Sequence, residues 1–206
     1  GTPASPTTAG VKAYLREFLS DRRVVEIPPI VWKILLHTLI LPFRSSKSAK
    51  LYQAIWQPEG SPLLTHSQQV CDKLTARVQQ NHPHAQVFLG MRYGAPSLTA
   101  LLQHVSKMAL QRLIILPMYP QYASATTGST FELTYQTLSQ ARYQPSLHTI
   151  HSYHDHPTYI RALADSVRCA FSQNGRRFLL ISFHGIPKRS LALGDPYACL
   201  CQKTGR

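Results

Sequence analysis

Four short apolar runs, separated by helical patterns, constrain the fold of this chain more than any other feature. The runs lie at 87–91, 112–117, 147–151 and 177–184, so successive runs begin 25 to 35 residues apart. A short apolar run between helical segments is typical of a strand that is buried in a parallel sheet. The spacing matches the length of a strand–helix–strand unit. We therefore predict an α/β fold in which helices wrap a parallel sheet through right-handed crossovers.

The segments around these runs show the periodicity of amphipathic helices. Helices are predicted at 8–19, 30–41, 63–80, 97–108, 126–142 and 157–172. The most apolar of them belongs to a 14-residue stretch, 30–43, which Lys33 and His37 interrupt. This stretch is too short to span a bilayer, but it suits a membrane interface or the lining of an apolar mouth.

The composition excludes a disordered chain, because 44% of the 206 residues are hydrophobic. Lysine and arginine number 22 against 9 acidic residues, which gives a net charge of +13. Such a surplus suits an anionic small molecule, an anionic membrane surface or nucleic acid. Nucleic-acid binding needs basic residues clustered on one face, and only short pairs such as Arg22-Arg23 and Lys188-Arg189 occur. We therefore expect no nucleic-acid partner.

Cysteine usage and the first residues bear on the compartment. The four cysteines (Cys71, Cys169, Cys199 and Cys201) do not form a disulfide framework in a chain of this length, which favours a reducing compartment. The first ten residues have neither the basic nor the apolar region of a signal peptide. We expect the protein to be cytoplasmic.

Aromatic, cationic and imidazole side chains follow the four apolar runs. They are Arg92-Tyr93, the segment 118–122, Tyr153 and His184. Ligands of open α/β folds bind at the carboxyl ends of the strands, so this edge suits a flat, anionic, aromatic ligand. His184 either takes protons or binds a metal there, or it merely caps a strand through a backbone hydrogen bond.

Several motifs, in order and in spacing, resemble those of ferrochelatases, the enzymes that insert ferrous iron into protoporphyrin at the end of haem synthesis. The strongest is SFHGIPKRSLALGDPY at 182–197. The others are FLSDRRVVEIP at 18–28, KLYQAIWQPEGSPL at 50–63, GMRYGAPS at 90–97 and LPMYPQYASATTGS at 116–129. The resemblance covers essentially the whole chain and is greatest to the Gram-negative bacterial type.

The resemblance implies a chelatase-like fold of two similar, doubly wound α/β domains, each Rossmann-like with three layers. On this reading residues 1–174 form the first domain without its first strand, and residues 175–206 form the start of the second. The porphyrin would lie in the cleft between the domains. We accordingly expect the chain to be a fragment.

The resemblance also implies functional residues, substrates and a location. His184 would be the metal ligand or proton acceptor, and the stretch 30–43 would face the membrane, so that the protein is cytoplasmic or peripheral at the inner membrane face. The implied substrates are protoporphyrin IX and ferrous iron, with no resident cofactor. The matching porphyrin contacts are Tyr14, Arg44, Tyr52, Ser61, Arg92, Tyr93, Tyr119 and Tyr122.

One part of the family pattern is absent from the chain. The family uses a glutamate opposite the histidine, and none of the nine carboxylates here matches it. We therefore expect the chain alone to be inactive, and we interpret Asp195 as a turn former. An iron–sulfur cluster is not expected, because it needs four thiolates and Ser124 stands where animal enzymes have a cysteine.

Other interpretations remain open at this point. A related chelatase would act on coproporphyrin or insert cobalt, and a non-catalytic remnant would only bind porphyrin. The histidines at positions 148, 151, 154 and 156 have the spacing of metal ligands, but a solvated loop is the favoured interpretation. The sequence makes no prediction about the oligomeric state.

Overall fold

The computed structural model describes residues 1–176 and 178–206. The chain divides into two compact units. The first unit consists of Gly1–Leu110 and Leu133–Gln144, and the second consists of Gln111–Glu132 and Pro145–Arg206. This division describes packing within the chain. The domain boundary between residues 174 and 175 concerns the family fold and stays a prediction.

The first unit contains most of the helices. They are α1 (Thr8–Leu19), α2 (Pro29–Leu35), a π-helical turn at Leu36–Ile40, α3 (Leu41–Ile55), α4 (Pro62–Gln79) and α5 (Leu98–Val105). Thr7 caps the N-terminus of α1, because its side chain accepts a hydrogen bond from the backbone N–H of Gly10 at 3.1 Å. The predictions at 8–19 and 63–80 agree with α1 and α4 to within one residue.

The core of the first unit lies where α1 packs on α3. Val11, Leu15 and Leu19 are spaced four residues apart, so they share one face of α1 and are buried. They pack with three buried residues from the π-helical turn and α3, which are Leu36, Leu41 and Ala49. This packing fixes the direction of α1, which carries the candidate site residue Tyr14.

The apolar stretch 30–43 forms the first half of a continuous helical segment that runs from α2 through the π-helical turn into α3. The helix predicted at 30–41 is therefore too short. Trp32 anchors this segment, since its indole N–H donates to the carbonyl of Leu19 at 2.6 Å. Ile30, Ile34 and Phe43 are 79%, 60% and 67% exposed. Among the described residues, no helix combines the length and hydropathy that crossing a membrane requires.

The second unit contains the parallel strands. They are β1 (Arg112–Ile115) and β2 (Ser146–Thr149), which pair in register from Arg112 opposite Ser146 to Ile115 opposite Thr149. A π-helical turn at Ser124–Gly128 leads into α6 (Ser129–Leu138), whose residues from Leu133 onward belong to the first unit. Helices α7 (Pro157–Asn174), α8 (Lys188–Ala192) and α9 (Tyr197–Gly205) follow β2. The mixture of helices and parallel strands confirms the α/β class.

Two of the four predicted strands are wrong. The segment 87–90 forms no ladder, and Met91 makes only an isolated bridge with Ser97. In the last run, Arg177 lies outside the described residues and 178–184 is not a strand. A strand exists only when a neighbour takes its backbone hydrogen bonds, and neither run has such a neighbour in the described part of the chain. Phe178 and Leu180 are consequently about fully exposed, at 106% and 90%.

Candidate functional site

A cavity of about 630 Å³ lies against α1 in the first unit. Its volume is within the range of small-molecule binding sites. Tyr14, one of the predicted porphyrin contacts, is part of the wall. The other lining residues are Pro3, Ala4, Gly10, Ala13, Arg16, Glu17, Ser20, His37 and Gly94.

A row of five aromatic side chains extends from this wall through the first unit. Tyr14 stacks on Phe18, with ring centroids 6.0 Å apart, and meets Tyr52 edge-on at 6.3 Å. Tyr52 in turn contacts Trp56 at 6.5 Å. At the other end Phe18 meets Tyr93 at 5.2 Å. We call this set the aromatic row (Tyr93, Phe18, Tyr14, Tyr52 and Trp56). Edge-on and offset contacts of this kind hold each ring in one orientation.

Tyr52 is half-buried within this row. Burial raises the pKa of the Tyr52 phenol above its usual value, and a hydrogen bond with the Tyr14 side chain acts in the opposite direction. Because burial is the larger effect, Tyr52 stays a neutral phenol at physiological pH. It presents an apolar ring with a hydroxyl that can donate.

Arg92 and Tyr93 converge on one carboxylate. The Arg92 guanidinium donates to Oδ2 of Asp21 at 2.6 Å, and the Tyr93 hydroxyl donates to the same oxygen at 2.7 Å. The Arg92 guanidinium also lies over the Tyr93 ring, 4.7 Å from its centroid. The side chains of Asp21 and Arg92 are only 7% and 20% exposed. This is a desolvated ion pair, which is costly to break from one side.

The other two candidates in the first unit differ sharply in exposure. Ser61 is buried, and its hydroxyl lies 2.6 Å from that of Thr2. Arg44 is exposed on α3, and within the described residues its guanidinium has no ion pair. Arg44 is therefore placed to meet an anion from solution, whereas the Ser61 hydroxyl serves an internal contact.

The second unit holds the remaining three candidates. Tyr119 is exposed, and Tyr122 stacks face to face on His151, with centroids 4.3 Å apart and planes 2° from parallel. His184 is exposed and follows the unpaired run 178–183.

The GDPY part of the strongest motif holds the second unit together locally. Oδ2 of Asp195 accepts from the backbone N–H of Ser124 at 2.7 Å, and Oδ1 accepts from that of Tyr197 at 3.0 Å. Asp195 thus holds the turn that precedes α9, in agreement with its interpretation as a turn former. Burial raises the pKa of Tyr197, and a hydrogen bond with Cys201 adds to the rise.

Comparison with known proteins identifies the group to which this architecture belongs. A family model described as Ferrochelatase matches residues 1–206. The chain belongs to the ferrochelatase family. Ferrochelatase 2 of Shewanella oneidensis is 47% identical over 207 residues, which cover 100% of this chain and 63% of the relative. The ferrochelatase of Nitrosococcus oceani is also 47% identical, with 56% of its length covered, and that of Shewanella denitrificans is 48% identical, with 63% covered.

The chain therefore spans between 56% and 63% of the length of these ferrochelatases. Of the residues that the resemblance to the family indicated, Tyr14 and Tyr52 share the aromatic row, and Arg92 and Tyr93 share Asp21. Tyr119, Tyr122 and His184 lie in the other unit. Their roles as porphyrin or metal contacts stay predictions.

The interpretation of the histidine cluster as a solvated loop is wrong for His154, which is buried, whereas His151 and His156 are exposed and lie outside helices and strands. His151 stacks on Tyr122, and His156 accepts from the backbone N–H of Thr158 at the start of α7. His154 is 6% exposed, and neither ring nitrogen has a hydrogen-bond partner. In the described part of the chain, no group of three histidine, cysteine or acidic residues could hold a metal.

Sequence reasoning missed four polar residues of the cavity wall, which are Arg16, Glu17, Ser20 and His37. The first three lie at helical spacing from Ala13, so the periodicity of α1 could have indicated them. His37 is held through Nδ1, which lies 2.9 Å from the carbonyl of Lys33. Since a carbonyl only accepts, Nδ1 carries the proton of the neutral ring and Nε2 keeps its lone pair.

Proposed function

We propose that the protein carrying this chain is a protoporphyrin ferrochelatase, which inserts ferrous iron into protoporphyrin IX to form protohaem. The match of all 206 residues to the ferrochelatase family carries this proposal. The cavity beside Tyr14, with the aromatic row behind it, supports it. A site for a flat apolar macrocycle needs aromatic walls and a cation for the carboxylates at its rim.

In this proposal Tyr14 and Tyr52 offer the aromatic wall, and Arg44 pairs with a propionate. The exposed guanidinium of Arg44 can bind a carboxylate through two parallel hydrogen bonds, which a lysine could not do. The family motifs indicate Ser61, Arg92, Tyr93, Tyr119 and Tyr122 as further residues of the porphyrin site. Within the described residues, Arg44 is the exposed cation among these candidates.

His184 serves as the proton acceptor or the iron ligand. Insertion of Fe²⁺ replaces two pyrrole N–H protons, so two protons must leave for each metal that enters. An imidazole is neutral in part near physiological pH and can take such a proton. Iron is a substrate in this proposal, and no resident cofactor or iron–sulfur cluster is required.

We further propose that the stretch 30–43 touches the inner face of the cytoplasmic membrane. Its exposed Ile30, Ile34 and Phe43 can enter the boundary between headgroups and acyl chains, while Lys33 favours anionic lipid. The protein is then cytoplasmic and peripheral. Nucleic acid has no part in this function.

Anaerobic absorbance spectroscopy of the full-length protein with protoporphyrin and Fe²⁺ tests the function. Haem formation that His184→Ala abolishes, and that His82→Ala on an exposed turn leaves intact, supports the proposal. Absence of haem with a folded wild-type protein contradicts it. The same assay with coproporphyrin or Co²⁺ separates the related chelatases, and the assay on residues 1–206 alone tests whether this chain is inactive by itself.

A further inference from the structure

Asp21 has no counterpart among the predicted site residues, yet it organises the surroundings of the cavity. It follows α1 directly, and its Oδ1 accepts from the backbone N–H of Arg23 at 2.8 Å. That bond fixes the carboxylate on its own turn, as in an Asx turn. Its Oδ2 then faces Arg92 and Tyr93, which lie 71 and 72 residues further along the chain.

From Asp21 a chain of contacts leads to the cavity wall. Tyr93 is 5% exposed, and its ring is held between the Arg92 guanidinium and Phe18. Phe18 stacks on Tyr14 with planes 9° from parallel. A change at Asp21 therefore reaches the cavity wall at Tyr14 through two ring contacts.

A second connection joins the same loop to the same helix. The backbone N–H of Gly94 donates to Oε2 of Glu17 at 2.8 Å, and both residues line the cavity. The loop that carries Arg92 and Tyr93 thus supplies part of the wall itself. Its position against α1 depends on the contacts of Asp21 at one end and Glu17 at the other.

We propose that Asp21 is a positioning residue of the cavity, and that Arg92 acts through Asp21 instead of through contact with a substrate carboxylate. The guanidinium of Arg92 is mostly buried and donates to Asp21, whereas that of Arg44 is exposed. If Arg92 turned to a ligand, the buried carboxylate of Asp21 would lose this ion pair, which is costly in a desolvated position. The inference rests on the proposed porphyrin site.

Porphyrin titrations of the full-length protein test this assignment. They use a porphyrin dicarboxylate and its dimethyl ester, with fluorescence quenching as the readout. Asp21→Asn and Arg92→Lys should each raise the Kd of both porphyrins by about tenfold, because the charge-assisted bonds that position Tyr93 are lost. The double variant should bind porphyrin no more weakly than the weaker-binding single variant, since both changes break the same interaction. The KM for porphyrin should rise with kcat unchanged.

Two control variants distinguish a positioning role of Arg92 from direct contact with the porphyrin. Arg44→Lys should weaken binding of the dicarboxylate and leave binding of the ester unchanged, as expected for direct contact with a porphyrin carboxylate. Asp165→Asn removes the carboxylate of an exposed aspartate–arginine pair with Arg168 and should change nothing. If Arg92→Lys instead affects only the dicarboxylate, or if the Asp21 and Arg92 effects multiply, Arg92 is a direct contact and the assignment is overturned.

Two further measurements distinguish a folding defect of a variant from failure of the proposed function. Tyr93→Phe keeps the ring in the aromatic row and removes one bond to Asp21, so it should give a loss of about threefold even if Asp21→Asn does not fold. If the wild type binds no porphyrin, the proposed function fails. Near-ultraviolet circular dichroism of the free protein then decides the positioning role: Asp21→Asn should alter the aromatic signal, and an unchanged spectrum overturns it.

Discussion

The helical core of the first unit and the apolar runs of the second unit differ in how far they are buried. In the first unit, Leu36 and Leu41 are each 1% exposed in a core built from helices that are near in sequence. In the second unit, Ile114 on β1 is 58% exposed, and Leu180 is 90% exposed. A helix makes its backbone hydrogen bonds internally, whereas a strand in a parallel sheet needs neighbours on its edges and helices on both faces. The curated relatives, of which this chain covers up to 63%, are longer.

The largest expected effect compares a leucine from each unit. Leu36→Ala should lower the free energy of unfolding by about 3 kcal/mol, because it leaves a cavity in a closed core. Leu180→Ala should change it by less than about 0.5 kcal/mol, since the side chain is already in solvent. Urea unfolding of the chain measures both. Equal losses would contradict the contrast between the units.

A second comparison uses two glycines with similar backbone angles. Gly94 has φ +81° and Gly175 has φ +74°. A Cβ at Gly94 would collide with the carbonyl oxygen of Thr2, whereas one at Gly175 would meet nothing within 4 Å. Gly94→Ala should therefore cost about 3 kcal/mol, and Gly175→Ala about 1 kcal/mol from backbone strain alone.

Thermal and urea unfolding of the two alanine variants give these values. A cost at Gly175 as large as that at Gly94 would show that the backbone angle, and not the approach of Thr2, sets the penalty. Porphyrin binding adds a second readout, because Gly94 lines the cavity and Gly175 does not.

The smallest expected effect is a loss of stability at alkaline pH that begins in the second unit. Burial raises the pKa of the Cys201 thiol from its usual value of 9.0. The unfolded chain therefore loses this proton first as pH rises, so stability falls once pH passes 9.0. Tyr52 in the first unit lowers stability in the same way, but only above pH 10.0, because the usual pKa of a tyrosine is 10.0. The urea midpoint between pH 8 and pH 10 should be flatter in Cys201→Ala, while Cys199→Ala, on the exposed neighbour, should match the wild type.

The helices could be predicted from the sequence because a helix depends mainly on local patterns. The helical periodicity of 8–19 predicts the bounds of α1. The proline before 63–80 predicts the start of α4 to within one residue. The runs at 87–91 and 177–184 carry the same pattern as β1 and β2, but a strand also depends on partners that its own residues do not specify.

Only those residues of the candidate site that belong to family motifs could be predicted from the sequence. The aromatic residues at positions 14, 52 and 93 come from the family resemblance, and the structure joins them in one row. Asp21 was missed because its partners are 71 and 72 residues away, and no local pattern indicates a contact at that separation. The burial of His154 was missed for the same reason, since exposure depends on the elements packed around it.

The π-helical turn at Leu36–Ile40 decides which residues of the long helical segment face inward. The buried positions are 36, 41, 45 and 49, so the first step is five residues and the next two are four. The N–H of Leu41 donates to the carbonyl of Leu36, five residues back, and this wider turn keeps both leucines in one line. In a regular α-helix without this wider turn, five residues would place Leu41 about 140° around the axis from Leu36. The phase of the helix, and with it the outward direction of Arg44, thus depends on one additional residue.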